Sequence, residues 1–299
     1  MGMTVEFEGF RRELTAHCYR MVGSVDEAED LVQETYLRAW KGVDGFRGEA
    51  SLRVWLYRIA TNVCLTALKG RGRRAVPSGL GAASEDPYGE PVIAEDALWV
   101  QPVPDELVMD PASIVADRES LKLALIASLQ YLPARQRAVL ILREVLAFSA
   151  QETAEMLETS VTAVKSMLQR ARATLEKVEP AKLAEPTEPD QKRLLDQYIA
   201  AFETSDLSIL ERVLRKDASL EMIGSTTWFA GNDTCLPYLA TVLGNPGDWR
   251  MTPIHANGQP AVKTYYQGEP FGVALLTFAG NGIKSITVFG DPTLVDRFP

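Results

Sequence analysis

The hydrophobic positions of this chain keep a helical period in two blocks and a strand period in a third. In the first block, Phe7, Phe10, Leu14, Cys18 and Met21 recur at three- and four-residue spacing, one buried helix face closed by Gly23. Ser24 followed by Glu27 predicts a capping box for a second helix, with Ala28, Leu31, Val32, Thr35, Ala39 and Trp40 as its inward face. A Gly-punctuated loop, Gly42 to Ala50, carries Phe46. A third helix is predicted from Ser51 to about Lys69, with Val54, Leu56, Ile59, Ala60, Val63 and Leu68 apolar.

Periodicity then fails from Ala75 to Asp117, a Pro- and Gly-rich stretch that by itself reads as a disordered linker. It returns at Ile114 to Tyr131, with Leu121, Leu125, Ile126 and Leu129 inward, and continues in a helix from Pro133 through Leu146. Ser149 and Glu152 make another capping box, and Ala150, Ala154 and Leu157 face inward. Ser160 can cap the next helix, whose Val164, Leu168, Ala171 and Leu175 form a buried stripe. Its other face is Thr162, Lys165, Ser166, Gln169, Arg170 and Arg172. Hydroxyls and an amide read base edges and cations hold phosphates, so this is the chemistry of a helix-turn-helix. An ordinary amphipathic hairpin with a solvated basic face has the same pattern, and only context separates the two.

Beyond the Pro- and Glu-rich Glu179 to Asp190, a helix is predicted from Gln191 to about Thr204 and a second after Ser205. Strand-like segments follow at Ser219 to Ile223, Met251 to Ala256, Ala261 to Tyr266, Gly272 to Phe278 and Ile283 to Phe289, with Asn281-Gly282 as a hairpin turn.

Composition adds bounds. With 299 residues, 46% hydrophobic and 24% charged, the chain has room for two or three globular domains. No apolar run reaches bilayer length and the N-terminus has no signal-peptide core, so a cytoplasmic protein is expected. Cys18, Cys64 and Cys235 lack CxxC spacing and are expected as reduced core thiols, with no zinc site. The net charge of -9 opposes nucleic-acid binding only on average, because the charge is sorted along the chain. Arg47, Arg53, Arg58, Lys69, Arg71 and Arg73 face only Asp44 and Glu49, whereas Ala75 to Asp117 holds eight or so acids up to Asp110 and no Lys or Arg before Arg118. The second helix has an acidic outer strip, Asp26 to Arg38, suited to a basic protein partner or simply to solvent.

DEAEDLVQETYLRAW at Asp26 to Trp40 and FRGEASLRVWLYRIATN at Phe46 to Asn62, with a basic tail, resemble region 2 of the extracytoplasmic-function sigma factors of bacterial RNA polymerase. The stretch from Leu132 to Arg172 resembles their region 4, and the C-terminal pattern resembles a fused SnoaL-like domain. The resemblance implies a multidomain fold, two all-α domains plus an α+β cone. Its parts would be region 2 at 1–75, an acidic linker at 76–117, region 4 at 118–178, a second linker at 179–190 and the SnoaL-like domain at 191–299. It further implies core RNA polymerase and promoter DNA as partners and no membrane contact. Asp30, Gln33 and Glu34 would dock on the polymerase. Phe46, Arg47, Gly48, Glu49 and Asn62 would hold a base flipped from the -10 element, and Lys69, Arg71, Arg73 and Arg74 would neutralise nearby phosphates. Tyr57 and Trp55 could stack on the melted strand or belong to the core. Thr162, Lys165, Ser166, Gln169 and Arg170 would meet the -35 element, and Met167 departs from a position where the family commonly has a cation.

The family's linker threads through the polymerase cleft. Here Leu98, Trp99 and Val100 are too apolar for a solvated spacer and should dock on the polymerase or on the chain's own C-terminal domain. That domain is expected to modulate activity, through contact with the linker or the sigma regions. The alternative is a cyclase- or isomerase-type enzyme fused to a DNA-binding module, with Glu221, Asp217, His255 and Asp291 as acid-base candidates that form no visible pair. Asp291 and His255 read as turn and surface residues, and Trp228, Phe229, Tyr265, Tyr266 and Phe271 as core or pocket wall. No cofactor or metal is called for, and catalysis is not expected.

Overall fold

A computed structural model describes residues 7–46, 51–109, 114–178 and 185–298. It resolves into two compact units that do not follow chain order: Met1–Arg74 with Val100–Pro180, and Ala75–Trp99 with Ala181–Pro299.

The first unit is helical. It opens with α1 (Arg11–Val22), α2 (Val25–Gly42) and α3 (Leu52–Ala67). α1 stops where Gly23, at φ 72°, turns its N–H back to the Tyr19 carbonyl at 2.7 Å. Ser24 caps α2 by accepting from the Glu27 N–H at 3.3 Å, but the return half of the expected box does not form, since the Glu27 carboxylate goes to Arg71 and Arg74. Ala28, Val32, Thr35 and Ala39 are buried as the period predicts, whereas Trp40 is 66% exposed. Neighbouring residues lie about 100° apart around a helix, so Ala39 and Trp40 cannot both face the core. On α3 it is Tyr57 that is fully buried and Trp55 that is half-buried.

Residues 100–109 of the expected spacer lie on this unit. Gln101 is its anchor: its N–H donates to the Gly23 carbonyl, its carbonyl accepts from the Tyr19 hydroxyl, and its side chain joins Ser24 (2.6 Å) and Asp26 (2.9 Å). Val100 and Val103 are fully buried beside it, leading into α4 (Asp105–Val108). A segment without internal periodicity takes its partners from a corner distant in sequence, which no local pattern reveals.

The helix predicted at Ile114 to Tyr131 is two, α5 (Ile114–Leu121) and α6 (Leu123–Leu129), broken at an extended Lys122. Arg20 donates to the Ser120 carbonyl and hydroxyl next to the break, so a tertiary tie holds the chain where the helix is interrupted. α7 (Ala134–Leu140) runs into a π turn, Ile141–Val145, before α8 (Ala150–Met156) and α9 (Val161–Val178). Ser149 and Glu152 form the complete capping box, and Ser160 caps α9 through the Ala163 N–H at 3.1 Å. Arg137 of α7 is buried and donates to the carbonyls of Met21, Gln130 and Leu132 and to Gln130 Oε1, tying the helix-turn-helix half to α1.

The second unit has α10 (Glu188–Thr204) and α11 (Leu207–Val213), then β1 (Leu214–Ile223), β2 (Trp228–Ala230), α12 (Asn232–Val242), β3 (Trp249–Ala256), β4 (Gln259–Tyr266), β5 (Glu269–Ala279) and β6 (Gly282–Phe289). The sheet order is β2-β1-β6-β5-β4-β3, and β1 runs parallel to β6 while the other pairs are antiparallel. Five of these strands coincide with the strand-like segments of the sequence, whereas β2 and α12 were not expected. The last hairpin turns on Gly280-Asn281 rather than Asn281-Gly282, because Ala279 already pairs with Gly282 and Gly280 supplies the positive φ of 60°. The three helices and one sheet face enclose a packed core that includes Leu194, Tyr198, Leu220, Phe229, Trp249 and Ile286.

Candidate nucleic-acid and protein interface

α9 presents its reading face through helix phase. Val164, Met167, Ala171 and Leu175 are buried and Leu168 is half-buried, which turns Thr162, Lys165, Ser166, Gln169 and Arg170 outward, all exposed. Among the described residues none of these five side chains carries a hydrogen bond or ion pair, so their donors and charges are available to a ligand. Arg172, the sixth residue of that face, is ion-paired to Glu144. Met167, at the position where the resemblance led to a cation being expected, points inward at 9% exposure, off the face that carries the five outward residues.

On α2, Asp30 and Gln33 are exposed and Glu34 is half-exposed, its carboxylate held by Arg38 at 2.6 Å. Leu37 (53% exposed) and Trp40 continue the same outer strip, giving it an acidic end and an apolar end. Leu37 was not among the residues expected on this strip, although at 100° per residue it lies far around the helix from the buried Ala39.

The residues expected at the -10 element are less open. Phe46 is half-exposed with its ring 4.9 Å from that of Trp55, Asn62 is half-buried, and Arg47, Gly48 and Glu49 lie outside the described residues. Lys69 is exposed. Arg71 and Arg74 both donate to Glu27 Oε1, and the Arg73 guanidinium lies 4.1 Å from the Tyr131 ring centre.

The helix-turn-helix also covers part of α3. Arg53 lies 5.0 Å from the ring centre of Tyr57 and 4.6 Å from that of Phe148, the rings themselves meet edge to face at 5.1 Å, and Arg58 pairs with Glu158 at 2.9 Å. Beneath this contact His17 is fully buried, bonded to the Thr61 hydroxyl at 3.0 Å. Burial, reinforced by the Arg20 and Arg53 charges, lowers its pKa to about 3.

In the second unit, Ala75–Trp99 is a strap along the β1-β2 edge. Ser78 donates its N–H and hydroxyl to the Glu221 carboxylate at 3.0 and 3.1 Å. Trp228 donates its indole N–H to Gly81, the Ser84 N–H reaches the Trp228 carbonyl, and Val92 to Ala94 bond across Gly224 to Thr227. The strap's two feet meet where the Ala75 N–H donates to Leu98 at 2.8 Å. Leu98 and Trp99 belong to the same compact unit as the C-terminal part of the chain, while Val100 is buried in the helical unit.

The four acid-base candidates do not converge on the helix-covered core. Glu221 sits between Leu220 and Met222, which face that core, so strand alternation turns it to the opposite sheet face. There burial raises its pKa while the Ser78 bonds oppose the shift. Asp217 is exposed, and Arg215 and Lys284 hold it well below the usual carboxylate range. His255 is exposed, and Asp291 is a cap that accepts from the Thr293 N–H and hydroxyl. Phe229 is core, Trp228 lies under the strap, and Tyr266 and Phe271 are partly exposed around Trp249. Among the described residues no cluster of His, Cys, Asp and Glu could hold a metal, and no helix is long and apolar enough to cross a membrane.

These features have counterparts in known proteins. Residues 7–74 match Sigma-70 region 2 and residues 122–175 match Sigma-70, region 4. The ECF RNA polymerase sigma factor SigG of Mycobacterium tuberculosis is 46% identical over 97% of this chain and 82% of its own length. The probable ECF RNA polymerase sigma factor SigI of the same organism is 26% identical over 98% of this chain and 95% of its own. The crystal structure of the M. tuberculosis extracytoplasmic function sigma factor SigJ shares the fold, with a TM-score of 0.64 at 21% identity over 99% of each chain.

Proposed function

Since the chain belongs to the extracytoplasmic-function sigma factors, which bind core RNA polymerase and direct it to promoters, we propose how its parts divide that task. The outward face of α9 carries the reading: Thr162, Lys165, Ser166, Gln169 and Arg170 enter the major groove of the -35 element. Asp30, Gln33 and Glu34 dock on the polymerase, with Leu37 and Trp40 as the apolar end of the same face. Phe46, Arg47, Gly48, Glu49 and Asn62 serve the -10 element, and Lys69, Arg71, Arg73 and Arg74 its phosphates. Promoter binding thereby divides between the spans 1–75 and 118–178, and the protein works in the cytoplasm, where the polymerase is.

The C-terminal domain acts as a regulator and not as an enzyme. Its acid-base candidates are dispersed, and one of them, Glu221, is engaged by the strap. By holding Ala75–Trp99, the domain competes with any path the linker must take on polymerase. Run-off transcription with purified core polymerase tests both parts. Lys165→Ala with Arg170→Ala should abolish dependence on the -35 sequence, and deletion of residues after Glu179 should change promoter output. Unchanged -35 dependence would reject the assignment of α9, and unchanged output the regulatory role.

A further inference from the structure

Glu27 occupies the third position of α2, where a capping-box glutamate would return to the backbone of its own N-cap. It turns away instead, and one of its oxygens accepts from Nη2 of both Arg71 and Arg74, the latter at 2.5 Å. The cluster is sheltered, with the side chains of Arg74, Glu27 and Arg71 exposed by 13%, 22% and 38%. Arg73, between them in sequence, spends its cation on the Tyr131 ring. Three cations of the tail are thus engaged by the chain itself, whereas among the described residues Lys165 and Arg170 on α9 stand outward without an ion pair. A carboxylate offers a guanidinium what a phosphodiester offers: one negative charge spread over oxygens that only accept.

We propose that Glu27 stands in for a backbone phosphate, withholding Arg71 and Arg74 from DNA until a phosphate displaces it, and so determines how well the tail discriminates promoter from bulk DNA. This rests on the reading that the tail meets DNA phosphates. Any DNA must break two ion pairs to use these arginines. A promoter, gripped elsewhere by α9 and by polymerase, can do so, while a random duplex gains too little in return.

The test uses the full chain assembled with core polymerase, binding a forked promoter fragment and a non-promoter duplex of equal length across a salt series. Glu27→Gln keeps the side-chain length and leaves the Ser24 cap on the backbone N–H, so α2 should still form. Its affinity for the non-promoter duplex should rise by roughly threefold to tenfold at low salt. The log-log salt slope should steepen by up to about 1.8, for two phosphates at about 0.9 each, with a smaller relative gain on the promoter. Glu27→Asp, one methylene short, should shift in the same direction. In an Arg71→Ala/Arg74→Ala background the Glu27→Gln change should have no effect. If that double variant loses salt slope but Glu27→Gln binds as wild type or more weakly, Glu27 merely orients the tail and the proposal is overturned while the DNA role of the tail stands. If the double variant binds the promoter fragment with wild-type slope, the tail does not meet phosphates and both readings fall.

Discussion

Ser78 places both its N–H and its hydroxyl on the carboxylate of Glu221, closing the strap over a β1 residue that faces away from the core. Ser78→Ala removes one bond to a charged acceptor, worth about 1 kcal/mol at a partly exposed position. Amide exchange at Thr226 and Ala94, whose N–H groups bond across the strap, should speed up by the corresponding few-fold while β5 and β6 stay protected. Because burial raises the pKa of Glu221, this group favours the folded state below the ordinary carboxylate range and loses that contribution as pH rises through the raised value. Glu221→Gln should flatten this slope.

His17 is held neutral, so unfolding takes up a proton between the folded pKa of about 3 and the ordinary value of 6.5. Stability therefore rises with pH across that window, and the loss on going from pH 7 to pH 4 should be about 3 kcal/mol from this residue. Denaturant unfolding of wild type and His17→Gln at several pH values checks it. Equal slopes for the two proteins would show that His17 is not the cause.

Among the described residues the buried Arg137 has no acidic partner, and burial lowers its pKa only to about 10, so it stays charged at neutral pH. Arg137→Met would leave the carbonyls of Met21, Gln130 and Leu132 short of a donor. A loss of about 2–4 kcal/mol is expected, read as a lower urea midpoint.

Tyr57 and Trp40 should separate folding from binding. Tyr57→Ala empties a fully buried site and should cost about 3–5 kcal/mol. Trp40→Ala, at a residue 66% exposed, should change stability by less than about 0.5 kcal/mol and yet weaken the complex with core polymerase in a pull-down titration.

Cys18, Cys64 and Cys235 are all buried; the Cys18 contact and burial push the Cys64 thiol up, and burial pushes Cys235 up against the opposing bonds from Leu220 and Thr234. A thiol reagent at neutral pH should modify none of them in the native protein and all three in denaturant. Rapid native labelling of any one would count against their role as inert core thiols.

The sequence by itself determined α1 to α3 and α8 to α11, five of the six strands, the complete cap at Ser149 and the outward face of α9. Those features are local: period, caps and turns act over a few residues, and a helix phase once set decides which side chains face out. Tertiary structure alone decided that Glu27 abandons its own helix start for Arg71 and Arg74, more than forty residues on, and that Gln101 anchors a stretch without periodicity at the α1-α2 corner. It also brought Ser78, distant in sequence, to the Glu221 carboxylate, although strand alternation alone already turned Glu221 away from Leu220 and Met222. Such contacts are chosen by which charged and polar groups the folded chain brings within hydrogen-bond reach, a relation that sequence spacing does not encode.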